Sequence, residues 1–277
     1  MKRILVPVDF SKYSEYALKV AAQIARDLKC EIIVVHMMGL SEPLLTRDEE
    51  REVFNALSYM QITKERFTKF LDKPYLKGIT VIDVVHNDKN FSELDEIATS
   101  RDAGLIVMGS HGLSGMKDIF VGSNTEKVVR SSEIPVLVIK NHIPDFKIKN
   151  AIFACDLKDD YLNSFQKTRK FLEPFNVHPR PLFVNIPERF LSNREMEAMA
   201  SNFLMDAGIA DADIFTEVDF YSDYTLESGI YHYCEERDID LIVIPTHGRK
   251  GLAHFFYGSI GENVANNAKI PVLTIKI

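Results

Sequence analysis

A chain that repeats itself at one fixed spacing has few folds open to it. Gly112 and Gly248, Gly115 and Gly251, Gly122 and Gly258, Ser123 and Ser259, and Pro135 and Pro271 all stand 136 positions apart. In each copy an apolar run, Leu105 to Met108 or Leu241 to Ile244, breaks into a glycine-bearing loop, and a Gly-Ser pair then opens a helix. Ser123 with Glu126, and Ser259 with Glu262, have capping-box spacing. Asp9 and Asp156 each close an apolar run near the start of a copy but lie 147 apart, so the second copy has lost about 11 residues ahead of its loop. The chain reads as a tandem duplication whose loop register is kept and whose middle tolerates loss.

Within each copy, strand and helix patterns alternate. Ile4 to Asp9 reads as a buried strand, and Ser11 caps a helix whose stripe is Ala17, Val20, Ala21, Ile24, Ala25 and Leu28. Glu31 to Met37 is a continuous β-branched run of the kind found in central strands. After Pro43 comes an amphipathic segment with Val53, Leu57, Met60, Phe67 and Leu71 on one side. Ile79 to Val85, Leu105 to Met108 and Pro135 to Ile139 complete five strands, with helices starting near Ser92 and at Ser123. Asn141 to Lys149 reads as a polar linker. The second copy offers strands at Ala151 to Asp156, Pro181 to Asn185, Ile214 to Val218, Leu241 to Pro245 and Pro271 to Ile275. Its helices carry Met196, Met199, Ala200 and Phe203, then Leu226, Ile230, Tyr233 and Cys234. This alternation predicts right-handed βαβ crossovers and an α/β fold of two tandem domains, residues 1–142 and 148–277.

Composition narrows the partners. With 277 residues, 46% hydrophobic and 26% charged, the chain can bury a proper core, and a net charge of -7 disfavours nucleic-acid backbone and anionic membrane. Three scattered cysteines, Cys30, Cys155 and Cys234, form no metal or redox pair, and the short run after Met1 is neither signal peptide nor span. A cytoplasmic protein is the expectation.

Backbone that passes from a strand end through glycines to a helix N-terminus suits phosphate, because its amides point outward and the helix dipole favours an anion. Neither a Walker lysine motif, a G-x-G-x-x-G motif nor a G-x-S-x-G elbow is present. His111 and His247 read as hydrogen-bonding struts in their loops, His36 as a satisfied core residue, and Lys117 or Arg249 and Lys250 as ordinary loop cations. His232, Cys234 and Glu235 lack zinc-ligand spacing.

Gly109-x-x-Gly112, nine residues, then Gly122-Ser123 resembles the signature of the ATP-binding universal stress proteins. Asp9 upstream and Pro135-Val-Leu-Val downstream stand where that family has them. The resemblance implies two flavodoxin- or Rossmann-like domains, each a five-stranded parallel sheet of order 3-2-1-4-5 with helices on both faces. It implies a pocket for ATP or AMP in which Pro7 and Asp9 line the adenosine, with Asp9 near the ribose. Met37 and Met108 enclose the adenine, and Gly109, Gly112, Gly122, Ser123 and Asn124 follow the ribose and phosphates. A second site would comprise Asp156, Gly248, Gly258 and Ser259, but Pro245 stands where the first copy has Gly109. A proline there removes an N–H and adds a ring, so the second site is expected to bind poorly.

No catalytic residue or metal ligand is assigned. A nucleotide-sensing or regulatory module is therefore the leading reading. The alternatives are a slow Mg2+-dependent ATPase or autophosphorylating enzyme, and a nucleotide-free scaffold. The apolar fifth strands need covering, and their pairing into an intramolecular pseudo-dimer is expected, with a homodimer of such chains as a further step.

Overall fold

The computed structural model describes residues 1–37, 49–86, 91–110, 123–209, 217–246 and 270–277. The first half runs β1 (Arg3–Pro7), α1 (Lys12–Leu28), β2 (Glu31–Met37), α2 (Glu49–Leu71), β3 (Val81–His86), α3 (Leu94–Ser100), β4 (Ala103–Gly109), α4 (Ser123–Ser131) and β5 (Val136–Ile139). The second runs β6 (Ala151–Ala154), α5 (Leu162–Leu172), β7 (Arg180–Asn185), α6 (Asn193–Asp206), β8 (Asp219–Ser222), α7 (Leu226–Glu236), β9 (Leu241–Thr246) and β10 (Val272–Lys276).

Each half is a parallel sheet of order 3-2-1-4-5, and the two join edge to edge into one ten-stranded sheet, β3-β2-β1-β4-β5-β10-β9-β6-β7-β8. The junction is the single antiparallel pairing among the described residues, with Val138 opposite Val272, Leu137 opposite Leu273 and Val136 opposite Thr274. Two apolar strand edges that would otherwise face solvent thus cover each other. Because the junction is antiparallel, the C-terminal strand ends of the two halves point to opposite ends of the molecule.

Helices cover both faces. On one, Ala17, Val20, Ala21 and Ile24 of α1 and Phe67 and Phe70 of α2 pack on Ile4, Val6, Ile32, Val34, Leu105 and Val107. On the other, Leu94 and Ala98 of α3 and Val128 and Val129 of α4 pack on Leu5, Ile33, Val35, Ile106 and Met108. Alternate residues of one strand therefore serve different layers, and the interior strands are mostly apolar. No helix among the described residues is long and apolar enough to cross a membrane.

Two sequence expectations are corrected, and the polar linker is seen to dock. The third strand of the second half lies at Asp219–Ser222, not Ile214 to Val218, because pairing with β7 begins where Asp219 meets Leu182; Val218 is buried just ahead of it, and Ile214 to Thr216 lie outside the described residues. The polar segment after β5 is docked rather than loose. Phe146 is buried, its N–H donates to Gln23 Oε1 at 3.1 Å, and Gln23 Nε2 donates to the Pro144 carbonyl at 3.2 Å. Met60 of α2 is 52% exposed and Leu226 of α7 44% exposed, so neither belongs to a buried stripe, whereas Phe67 does. The side chains of Val53 and Leu57 lie outside the described set.

Candidate functional site

The first and fourth strands are neighbours, and their C-terminal ends diverge towards helices on different faces, the arrangement that leaves a crevice at a topological switch point. At the β1 end, the ladder continues one residue past the strand: Val8 N–H donates to the Val35 carbonyl at 2.8 Å. The chain then turns sharply. Asp9 Oδ1 accepts the Ser11 N–H at 3.0 Å, and Ser11 caps α1 by accepting the Ser14 N–H at 3.3 Å. Between them Phe10 holds φ = +64°, a left-handed conformation costly for an aromatic residue. Its ring packs on His36 at 4.5 Å, Phe67 at 5.2 Å and Phe70 at 5.5 Å, and that packing holds the turn.

The strand registers place the sequence-predicted residues. Pro7 is opposite Val35, which is opposite Val84, and Met108 follows two residues after the Leu5–Ile106 pair. One pleat further on, Met37 is opposite His86. Pro7, Met37 and Met108 are all buried, and Met37 and Met108 share the layer under α3 and α4. His86 Nε2 lies 3.0 Å from Glu93 Oε2 beside this row.

Gly109 ends β4 opposite Ile139, and its carbonyl accepts the Thr125 hydroxyl at 2.8 Å, which ties the first turn of α4 to the strand end. A Cβ on Gly109 would meet the Tyr13 carbonyl carbon and oxygen at 2.8 Å. The glycine therefore makes room for the backbone of α1, a role that its place in a ligand loop does not announce. Ser123 begins α4 and Asn124 is exposed beside it. Gly112, Gly122, His111 and Lys117 lie outside the described residues, as do Gly248, Gly258, Ser259 and His247 in the second half.

His36 is the buried histidine expected. Its Nδ1 is 2.8 Å from the Val8 carbonyl, so the ring props the peptide that precedes Asp9. Burial pushes its pKa below the usual histidine value; the Val8 hydrogen bond opposes the shift, and the neighbouring Arg66 and Asp9 charges act in opposite senses.

Comparison with known sequences agrees with this geometry. The profile of the universal stress protein family matches residues 1–140 and 225–276. The chain belongs to that family. Universal stress protein MJ0577 of Methanocaldococcus jannaschii is 31% identical over 159 residues, spanning 50% of this chain and 94% of that protein. Universal stress protein Slr1230 of Synechocystis is 25% identical over 301 residues and matches both chains along their full length. The crystal structure of a universal stress protein from Archaeoglobus fulgidus shares the fold, with a TM-score of 0.60 and 17% identity over 99% of this chain and 96% of that one.

The family profile does not match residues 141–224 of this universal stress protein, which hold the start of its second half. The second half repeats the left-handed turn, with Leu157, the counterpart of Phe10, at φ = +52°. It does not repeat the cap. Lys158 stands at the position of Ser11, and its Nζ lies 2.7 Å from Asp156 Oδ2. The Tyr161 hydroxyl, at the position of Ser14, also hydrogen-bonds Asp156, and burial with the nearby carboxylates pushes Tyr161 up to about 12. Pro245 is buried opposite Ile275, as Gly109 is opposite Ile139, so register shows the two positions to be equivalent. Sequence reasoning found Pro245 but missed Lys158, although the 147-residue offset that aligns the aspartates also aligns Ser11 with it. Phe10, Tyr13 and Thr125 carried no sequence signal, since their roles lie in backbone conformation and contacts across the fold.

Proposed function

We propose that the first half of this universal stress protein binds an adenine nucleotide, ATP or AMP, as the ligand of a stress-response sensing module. Residues 1–142 would form the binding domain and 148–277 a companion that binds poorly. The observation that carries this reading is the convergence of Asp9, the apolar row Pro7, Met37 and Met108, and the tied pair of Gly109 and the α4 N-terminus on one strand-end crevice. An acidic side chain there suits ribose hydroxyls, the methionines suit a flat base, and the helix N-terminus suits phosphate. In the second half Asp156 is already engaged by Lys158 and Tyr161, and the glycine is a proline. Both features argue for one nucleotide per chain.

The test is direct. Denaturing the purified protein and chromatographing the supernatant identifies any nucleotide carried along. Calorimetry on the stripped chain should then give one site, and Asp9→Asn should weaken it about 10- to 100-fold, the worth of one charge-assisted hydrogen bond. Two sites of equal affinity, or an Asp9→Asn variant that binds like wild type, would refute the assignment.

A further inference from the structure

The duplication supplies its own control along the paired strands. In the first half Leu5 is opposite Ile33 and Val35 opposite Val84, and both pairs belong to the apolar layer, with Ile33 1% exposed. In the second half the counterpart of Leu5, Ile152, is opposite Arg180, and the counterpart of Val35, Leu182, is opposite Asp219. A buried isoleucine position and a half-buried valine position have become an arginine and an aspartate. There the layer opens into a cleft of about 210 Å³ lined by Lys149, His178, Arg180, Asp219, Tyr233 and Arg237, with Asp238 also at its edge.

The polar groups of the cleft are held in place. Arg180 forks onto Asp219, Nε to Oδ2 at 2.8 Å and Nη2 to Oδ1 at 2.6 Å, and the Tyr233 hydroxyl hydrogen-bonds the same carboxylate. The Arg237 guanidinium lies 5.6 Å from the centroid of the Tyr233 ring. Asp240 Oδ2 accepts the Lys149 and Asn150 N–H groups at 2.9 and 3.0 Å, and Asn150 Nδ2 donates to the Asp238 carbonyl at 2.8 Å, which fixes the rim. An ion pair that replaces packed aliphatics adds little stability of its own, and such breaches of core patterning concentrate where a chain has a use for them. Two pre-set guanidiniums lose little side-chain freedom on meeting an oxyanion.

We propose that this cleft binds a small ligand by its phosphoryl group. Three permanent cations and a histidine face two carboxylates, one of them already held by Arg180, in a chain whose net charge is -7. A volume of about 210 Å³ accommodates a phosphate-sized head group, and the rest of a ligand would extend from the open side of the cleft.

The test titrates the full chain with inorganic phosphate and, separately, with glycerol 3-phosphate while following the arginine Nε–Hε resonances by NMR. The Arg180 and Arg237 signals should move saturably. The double variant Arg180→Ile with Asp219→Val, which installs the first-half pair, should stay folded and weaken binding about 10- to 100-fold. Tighter binding of glycerol 3-phosphate identifies the ligand as a phosphomonoester, and equal affinities identify it as phosphate itself. Flat titrations with both probes, unchanged affinity in the double variant, or tighter saturation by succinate would overturn the proposal. Because the resonances followed belong to the second half, the result is independent of whether the Asp9 crevice holds a nucleotide.

Discussion

At Gly109 the absence of a side chain serves two neighbours at once: α1 crosses close above it, and the α4 N-terminus is tied to its carbonyl. Gly109→Ala must push the Tyr13 backbone away, which should cost about 1–3 kcal/mol; urea denaturation measures it, and a neutral outcome would show that α1 can shift freely. The second half meets the same crowding differently. Its Pro245 is accompanied by a 3-10 turn at Asp159–Tyr161, and α5 begins only at Leu162. His36 gives a pH-dependent outcome. Its pKa falls on folding from the ordinary 6.5, so the unfolded chain binds the extra proton first. The stability that its neutral form contributes is complete above about 6.5 and is lost as pH falls from there towards the lowered native value. His36→Asn, which keeps a donor near the Val8 carbonyl, should flatten this part of the profile of urea midpoint against pH, whereas an unaltered acid slope would assign the loss to other groups.

Among the elements, α3 is short, yet it sets where β5 starts. Asp95 Oδ1 accepts the Ser132 hydroxyl at 2.7 Å and the N–H groups of Glu133 and Ile134 at 2.9 and 3.3 Å. Sequence alone marks Asp95 as a first-turn acid of a helix, which it is, but its partners lie nearly forty residues downstream and appear only when α3 and α4 pack together. Asp95→Ala takes the acceptor from the Glu133 N–H and the Ser132 hydroxyl, while the Ile134 N–H keeps Ser132 Oγ at 3.1 Å, and should cost about 1–2 kcal/mol, read as a lower thermal midpoint. The second half has Tyr231 at this position, buried and 5.9 Å from Lys140 across the seam.

On the scale of the whole molecule, the β5–β10 seam makes one sheet from two copies. Lys140 and Lys276 are counterparts that follow or end the two seam strands, and the repeat treats them unequally. Lys276 Nζ lies 3.1 Å from Glu133 Oε1, whereas Lys140 packs over the Tyr231 ring. Burial lowers Lys140 to about 8, so its charged form is disfavoured in the folded chain. Lys140→Met should therefore stabilise the protein below pH 8, and the gain should shrink as pH rises from about 8 to 10.5, where the wild-type amine is neutral in both states. A gain that does not vary with pH would indicate a packing effect instead.

The sequence by itself determined the duplication, the α/β alternation, the strand order through family resemblance, and the candidate crevice at Asp9 and Gly109. The duplication and the alternation follow from periodicity, spacing and turn chemistry, all of which are local, whereas the strand order and the crevice it forms rest on the family resemblance. The sequence misplaced the third strand of the second half, and its reading of Asn141 to Lys149 as a polar linker did not include the docking of Phe146, because a run of apolar and charged residues does not state its own register or what it docks against. Only the tertiary structure decided that Gly109 accommodates α1, that Lys158 and Tyr161 engage Asp156, and that Arg180 and Asp219 open a cleft where the first copy is packed with aliphatics. The first and last of these join residues distant in the chain and come into being only when the sheet is assembled, whereas the Asp156 contacts are local and depend on the conformation of the turn that carries them.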